Sequence, residues 1–363
     1  MGWSEILGHQ PAKERFVQSL SRNRLASTYL FVGPDGIGKR TFALQLAKGL
    51  LCESHDSIES CDQCPTCQQI DAQTHPDLIQ VSRPAGKAFI PVELFIGPKE
   101  KRHRQGLCHD IGLKPFSGNR KVAIIDDADF LNVEGANCLL KTLEEPPANS
   151  LLILIGTSEQ QQLPTILSRS QVVRFSALTV DDVRTVLGRI ALETEADLND
   201  LAAAAGGSIS RAKILADGEC MEFRKSLLRQ LASVDPARNS FLQQIMEFID
   251  AAGKEASAKR LRAIWVGDLA IELYQAWLQN AAGAEHPETD PFLKDILAGA
   301  PQSGELADRL ARCVELTVIA QRKIRANVMP LNAMEIWLRD VGRICRGEPV
   351  QESADESLLT IFG

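Results

Sequence analysis

The stretch that most constrains this chain is Tyr29-Leu30-Phe31-Val32-Gly33-Pro34-Asp35-Gly36-Ile37-Gly38-Lys39-Arg40-Thr41. Tyr29 to Val32 is a short apolar run of β-formers and predicts a buried strand. Gly33, Gly36 and Gly38 permit a tight turn that presents backbone N–H groups inward. Thr41 to Leu51 then continues as a helix with Phe42, Leu46 and Leu50 on one face. A helix N-terminus behind a nest of N–H groups is an anion site, and Lys39 adds a full positive charge. The pattern is the phosphate loop G-x-x-x-x-G-K-[ST] with one departure. Arg40 follows the lysine, and the hydroxyl arrives one position later, at Thr41. That hydroxyl ordinarily helps to hold Mg²⁺, so the stretch predicts ATP-type phosphate binding more firmly than metal placement. The competing reading is a glycine-rich strand-to-helix turn of purely structural use.

A chain of 363 residues has room for two or three domains. Its longest apolar runs, such as Leu151-Leu152-Ile153-Leu154-Ile155, are far too short to span a membrane. Met1-Gly2-Trp3-Ser4-Glu5 has no basic stretch leading into an apolar one, so no secretory signal is expected. A net charge of −7 argues against wholesale coating of nucleic acid and confines any such contact to a local patch.

Of nine cysteines, four cluster: Cys52, Cys61, Cys64 and Cys67, spaced C-x8-C-x2-C-x2-C. Two consecutive x2 steps put three thiolates on one knuckle, and the x8 loop returns the fourth from the end of the preceding helix. Four thiolates suit a closed, structural Zn²⁺ site without an open position for catalysis; an iron–sulfur cluster is the alternative. An odd cysteine count and a metal-type cluster point to a reducing, cytoplasmic compartment. The scattered Cys108, Cys138, Cys220, Cys313 and Cys345 read as packing residues.

In chain order, residues 4–27 read as an amphipathic helix with Ala12, Phe16, Val17 and Leu20 on one side. Asp77–Val81 reads as a second strand. Residues 90–112 read as a helix bearing Lys99, Lys101, Arg102 and Arg104, either a solvated face or a phosphate contact. Lys121 to Ile125 is a strand buried on both faces, ending in Asp126 and Asp127. In phosphate-loop NTPases an acid here holds Mg²⁺, and its neighbour polarises the attacking water. Asp127 is one methylene shorter than the usual glutamate; the competing reading has both acids capping the next helix. A helix at 132–145, a strand at Leu151–Ile155 followed by Gly156-Thr157-Ser158, a short helix at 163–167 and a strand at Gln171–Phe175 complete an α/β domain. Its five strands should form a parallel sheet. Helices follow at 179–189, 198–205 and from Ser208, then to about residue 346. Leu261, Ile264, Trp265, Leu269, Leu273, Ala276 and Trp277 recur there with helical period. The expected domains are 1–176 with the zinc module at 52–67, a lid at 177–217, an all-α domain at 218–346 and an acidic, disordered tail at 347–363.

These motifs together resemble the delta-prime type of bacterial DNA polymerase III clamp-loader subunit, within the AAA+ ATPase group. The likeness rests on the phosphate loop, the cysteine knuckle behind its helix, and His75-Pro76-Asp77. Leu139-Leu140-Lys141-Thr142-Leu143-Glu144-Glu145-Pro146-Pro147 and Ile166-Leu167-Ser168-Arg169-Ser170 add to it. It covers residues 1 to about 215 well and the rest weakly. The resemblance implies that Gly33 to Thr41 bind nucleotide, that Thr157 stands at the sensor position and Arg211 near a second one. It implies that Arg169 is an arginine finger for the ATP of a neighbouring subunit. It also implies a collar in the helical third, a five-subunit ring, a sliding clamp and primed DNA as partners. Arg40 and Asp127 depart from the hydrolysing motor subunits, so weak or absent ATPase is expected of this chain itself.

Two rival readings are a self-sufficient AAA+ motor and a zinc-knuckle nucleic-acid module. A motor should carry Ser or Thr after Lys39 and Glu at 127; the knuckle lacks the flanking aromatics of a base-stacking module. Leu358-Leu359-Thr360-Ile361-Phe362 on its acidic tether reads as a tail docked on the collar or as a weak clamp-binding peptide.

Overall fold

A computed structural model of the chain describes residues 3–54, 58–116, 120–233, 239–283, 290–298 and 304–349. The Leu358–Phe362 tail lies outside the described residues. The chain divides into two units, one of residues 1–193 with 197–214, the other of 194–196 with 215–363.

The first unit is built on five strands: β1 (Thr28–Val32), β2 (Leu78–Val81), β3 (Lys121–Ile125), β4 (Ser150–Gly156) and β5 (Gln171–Arg174). All pair in parallel, in the order β2-β3-β4-β1-β5. This is the expected α/β sheet. Continuous apolar strands follow from burial on two faces. Phe31, Val122, Ile124, Leu151 and Ile153 point to a layer with Phe16, Phe42 and Leu46 from the helices Gln10–Ser21 and Lys39–Leu51. Leu30, Val32, Ala123, Ile125, Leu152 and Leu154 point to the opposite layer, with Phe95, Leu139 and Leu143. The registers Val32↔Gly156 and Ile125↔Leu154 bring the carboxyl ends of β1, β3 and β4 to one edge. In open parallel sheets that edge is where ligands bind.

Two expected helices are shorter than their patterns suggested. The first runs only Gln10–Ser21, because Gly8 at φ 75° breaks the chain before it and Asn23 at φ 49° turns it after. Phe16 is buried there, whereas Val17 is exposed. The stretch 90–112 is not one helix but three short pieces, Glu93–Ile96, a 3₁₀ turn Lys99–Lys101 and Leu107–Asp110. Gly97 at φ 82° and Gly106 at φ 93° interrupt it; a Cβ on Gly97 would lie 2.9 Å from the carbonyl oxygens of Lys101 and Gln105. Lys99, Lys101, Arg102 and Arg104 are exposed.

Three helices close the unit. Val180–Arg189 starts on Thr179, whose hydroxyl accepts the Asp182 N–H. Leu198–Ala204 and Ile209–Leu215 follow. The Ile209 N–H donates to the Gly36 carbonyl at 2.9 Å, tying the last of these to the phosphate loop.

The second unit is helical among the described residues: Gly218–Leu231, Asn239–Asp250, Ala256–Ala281, Pro291–Ala298, Gly304–Arg325 and Pro330–Cys345. Leu227, Phe241, Leu269, Leu273, Met334 and Trp337 sit in one core. The expected stripe on Ala256–Ala281 is shifted: Ala263, Val266 and Ala270 are buried with Leu269 and Leu273, while Leu261 is 64% exposed. Arg224 is buried against Asp290 at 2.6 Å and Glu272 at 3.3 Å, so its charge is matched. No described helix is long and apolar enough to cross a membrane.

Candidate phosphate site and metal centre

The loop after β1 folds as the glycines require. Gly36 (φ 75°) and Gly38 (φ 99°) occupy the left-handed region, and Gly38 is the N-cap of the helix Lys39–Leu51. The Gly33 N–H donates to the Thr157 carbonyl at 3.1 Å, fastening loop to β4. Lys39 is buried and donates to the carbonyls of Gly33 and Pro34, each at 2.6 Å. Two of its three donors are thereby fixed. Burial pulls its ammonium below the ordinary value, against the attraction of Asp35, Asp129 and Asp126.

Arg40 does what the sequence could not reveal. Its Nη1 donates to Asp126 Oδ2 at 3.2 Å and its Nη2 to Gln80 Oε1 at 3.3 Å. The other oxygen of Asp126 accepts the Asp127 N–H at 3.1 Å. Asp127 sits in the left-handed region at φ 58°. Burial and the neighbouring Asp126 push its carboxyl up, with Arg83 opposing.

Asp129, which pattern reading passed over, is the acid most engaged here. It accepts the Thr157 N–H at 2.8 and 3.1 Å and a bond from Gln162. Burial raises its carboxyl against those bonds. It thus sets the tip of β4, where Thr157 stands. His9 was missed as well: its Nε2 lies 2.8 Å from the Ile37 carbonyl, and its ring meets Phe175 edge-on at 4.9 Å. No local motif marks either residue, since each acts through a partner distant in sequence.

A cavity of about 590 Å³ lies over the loop. Gly36 to Thr41, Asp126, Asp127, Asp129 and Thr157 form its polar end. Ile6, Leu7, Leu178, Val186, Ile190 and Ile209 add apolar lining, and Glu5, Ser210 and Lys213 add polar groups. A cavity of this volume, lined by both polar and apolar side chains, is of small-molecule size. Arg211 is not among its lining residues; Lys213, two positions on, is. Nor does Arg169 line it. Arg169 Nε and Nη2 donate to Glu144 Oε1 at 3.1 and 2.6 Å, and Nη1 donates to the Thr165 carbonyl at 3.2 Å. A larger cavity of about 900 Å³ near Cys108, Cys138 and Lys141 gathers no phosphate-cradling loop.

At the far end of the Lys39–Leu51 helix, Cys52 is the C-cap. The sulfurs of Cys52, Cys61, Cys64 and Cys67 all lie within 4.8 Å of one another, with Cys52 and Cys64 at 4.0 Å. A tetrahedron of ~2.3 Å Zn–S bonds needs sulfurs about 3.8 Å apart, so the four could hold a metal ion. Backbone N–H groups of Cys61, Cys64 and Cys67 donate to the sulfurs of Cys52, Cys61 and Cys64 at 3.3–3.4 Å. Donation from the Gln63 and Cys64 amides lowers the Cys61 thiol to about 6, whereas burial and the neighbouring cysteines push that of Cys67 up. Lys48, itself buried, joins the cluster to the helix through Asp62 at 2.7 Å and Asp71 at 2.8 Å.

The fold and site define an α/β protein with a five-stranded parallel sheet, a glycine-rich turn leading into a helix N-terminus, and a four-cysteine group that could hold a metal ion. Residues 8–179 match the family described as DNA polymerase III, delta subunit. The chain is 34% identical over 179 residues to DNA polymerase III subunit delta' of Bacillus subtilis, covering 49% of this chain and 51% of that one. It is 33% identical over 221 residues to subunit tau of Escherichia coli, covering 59% and 32%. With subunit gamma/tau of Mycoplasma genitalium it shares 26% over 301 residues, covering 82% and 46%. The chain spans about a third to a half of the length of these relatives. It therefore resembles the clamp-loader subunits of DNA polymerase III, as its motifs implied.

Proposed function

We propose that this chain is a delta-prime-like subunit of a cytoplasmic DNA polymerase III clamp loader. It assembles with other loader subunits in a five-membered ring and helps to place a sliding clamp on primed DNA. Its helical unit is the collar, and Cys52, Cys61, Cys64 and Cys67 hold a structural Zn²⁺. Gly33 to Thr41 cradle the phosphates of ATP, beside Thr157. Arg169 serves a neighbour. The observation that carries this reading is that Arg169 does not line the chain's own cavity yet is held, half-buried, by a partly exposed carboxylate. Surface ion pairs of this kind contribute only about 0–1 kcal/mol, so a γ-phosphate can displace Glu144 from the guanidinium. A guanidinium delivered in trans accelerates phosphoryl transfer by ~10³–10⁵.

The test is Arg169→Ala in a reconstituted loader. Turnover at the neighbouring site should fall about 10³-fold in single-turnover experiments, with nucleotide binding by this chain retained. Lys39→Ala should lower loader ATPase far less. The reverse pattern would mark the chain as a motor with its own hydrolysis. Against that stands Asp126, each of whose oxygens already accepts a bond, one from Arg40 and one from the Asp127 amide.

A further inference from the structure

Phosphate-loop sites of hydrolysing enzymes hold Mg²⁺ between a hydroxyl after the loop lysine and an acid at the end of a neighbouring strand. Here the first position is Arg40 and the second Asp126, and the two bond each other. Asp126 Oδ2 receives the guanidinium at 3.2 Å, and Oδ1 receives the Asp127 amide. A second bond, from Arg40 Nη2 to Gln80 at 3.3 Å, fixes the plane of the guanidinium. Mg²⁺ demands near-octahedral oxygen ligands at ~2.0–2.1 Å and dehydrates reluctantly. At Asp126 it would have to compete with a guanidinium already bonded to one carboxylate oxygen, while the other oxygen accepts the Asp127 amide. Asp127 offers no better seat, its backbone being turned into the left-handed region at φ 58° with its amide held by Asp126. Asp129 is no substitute either, being committed to Thr157 and Gln162. The residues present do not fit Mg²⁺.

What they fit is a guanidinium in place of the metal. Arg40 sits in the first turn of the Lys39–Leu51 helix, one residue from Lys39, and lines the cavity. Its side chain is 48% exposed, so it remains open to a ligand. Arginine presents donors in a fork that matches phosphate oxygens and is always charged. We infer that this site binds the di- or triphosphate of a nucleotide in its metal-free form, Arg40 supplying the countercharge that Mg²⁺ supplies elsewhere. The inference rests on reading the loop as a phosphate site. It makes the nucleotide a held ligand rather than a fuel, because nothing at Asp126 organises a metal between the phosphates.

The experiment is calorimetric titration of the full chain with ADP and with ATP, in excess MgCl₂ and in excess EDTA. Affinity in EDTA should equal that in Mg²⁺ within about threefold, or exceed it. Arg40→Ser restores the hydroxyl and frees Asp126; it should make binding Mg²⁺-dependent by about tenfold or more. Asp126→Asn releases the guanidinium and should tighten metal-free binding several-fold in the wild-type background but little in Arg40→Ala, whereas simple loss of the Asp126 charge would tighten both alike. Circular dichroism of the variants checks that they fold. If Mg²⁺ tightens wild-type binding tenfold or more, the inference is overturned while the phosphate-site reading stands. If neither nucleotide binds under either condition, both fall.

Discussion

The helix Lys39–Leu51 carries a different chemistry at each end. At its C-terminus, Cys52 joins three cysteines from one short stretch, and the donors close on one another within 4.8 Å. At its N-terminus, the proposed phosphate site is assembled from distant segments: the loop, Asp126, Asp129, Thr157 and the Ile209–Leu215 helix. A closed site built from neighbours in sequence has its chemistry set by spacing alone. An open site built across the sheet has its chemistry set by which side chains meet there. Arg40 and Asp126, 86 positions apart, are the instance that matters.

The comparison breaks most visibly at the cysteine end. Cys64 is only partly buried, so Cys64→Ser opens no large cavity. Its effect should come through the metal. Plasma emission spectrometry should show about one zinc per wild-type chain and close to none in the variant. Because a knuckle this small has no core of its own, melting should fall by several degrees. A variant that sheds its zinc without any change in melting would show the closed site to be ornamental to the fold. Nucleotide affinity, set at the other end of the helix, should change little.

Much of the α/β unit was legible for a physical reason. Strands covered on two faces must be apolar throughout, and Tyr29–Val32, Val122–Ile125 and Leu151–Ile155 all read that way. The strand order was not legible, because pairing joins segments far apart in the chain. The stretch 90–112 read as a helix on its apolar and charged content, although Gly97, Pro98 and Gly106 already stood in it as breakers. At the site, the phosphate loop and the four cysteines were evident, and Arg40 was evident as a departure. Its consequence was not, since the sequence names the guanidinium but not the carboxylate it meets. Asp129 was hidden for the same reason: its role is to fix Thr157, 28 positions on.

A smaller effect should separate the two ends. Lys48 lies within the helix, with its ammonium bonded to Asp62 beside Cys61 and to Asp71 on the Pro65–Asp71 helix. Burial lowers the ammonium pKa, but the bonds to Asp62 and Asp71 outweigh it and leave it raised. Lys48→Met keeps the apolar stem and removes the charge. Asp62 and Asp71 are both partly exposed and regain water, so the loss should be about 1–2 kcal/mol rather than that of a fully buried pair. Metal retention against a chelator should weaken by ~10-fold, as when an outer partner of a metal ligand is removed. Nucleotide affinity should hold. If it fell in step with metal retention, the two ends would be coupled through the helix rather than independent.

The smallest effect concerns the loop end and depends on pH. Burial pulls His9 below its ordinary 6.5, although the Ile37 carbonyl and Asp182 oppose that shift. The folded chain therefore holds His9 neutral at pH values where the unfolded chain has begun to protonate it. In that window the unfolded state binds more protons, so stability rises with pH. The His9 contribution is complete above 6.5 and is lost as pH falls through the lowered folded value. His9→Gln retains a donor for Ile37 and removes the titration. Its melting temperature should therefore decline less than that of the wild type between neutral pH and pH about 5. His75, also lowered by burial, remains in both proteins and contributes to the slope that persists. Parallel slopes in the two proteins would remove His9 as the source. A flatter slope in His9→Gln, with metal content unchanged over the same range, would assign the pH sensitivity to the loop end.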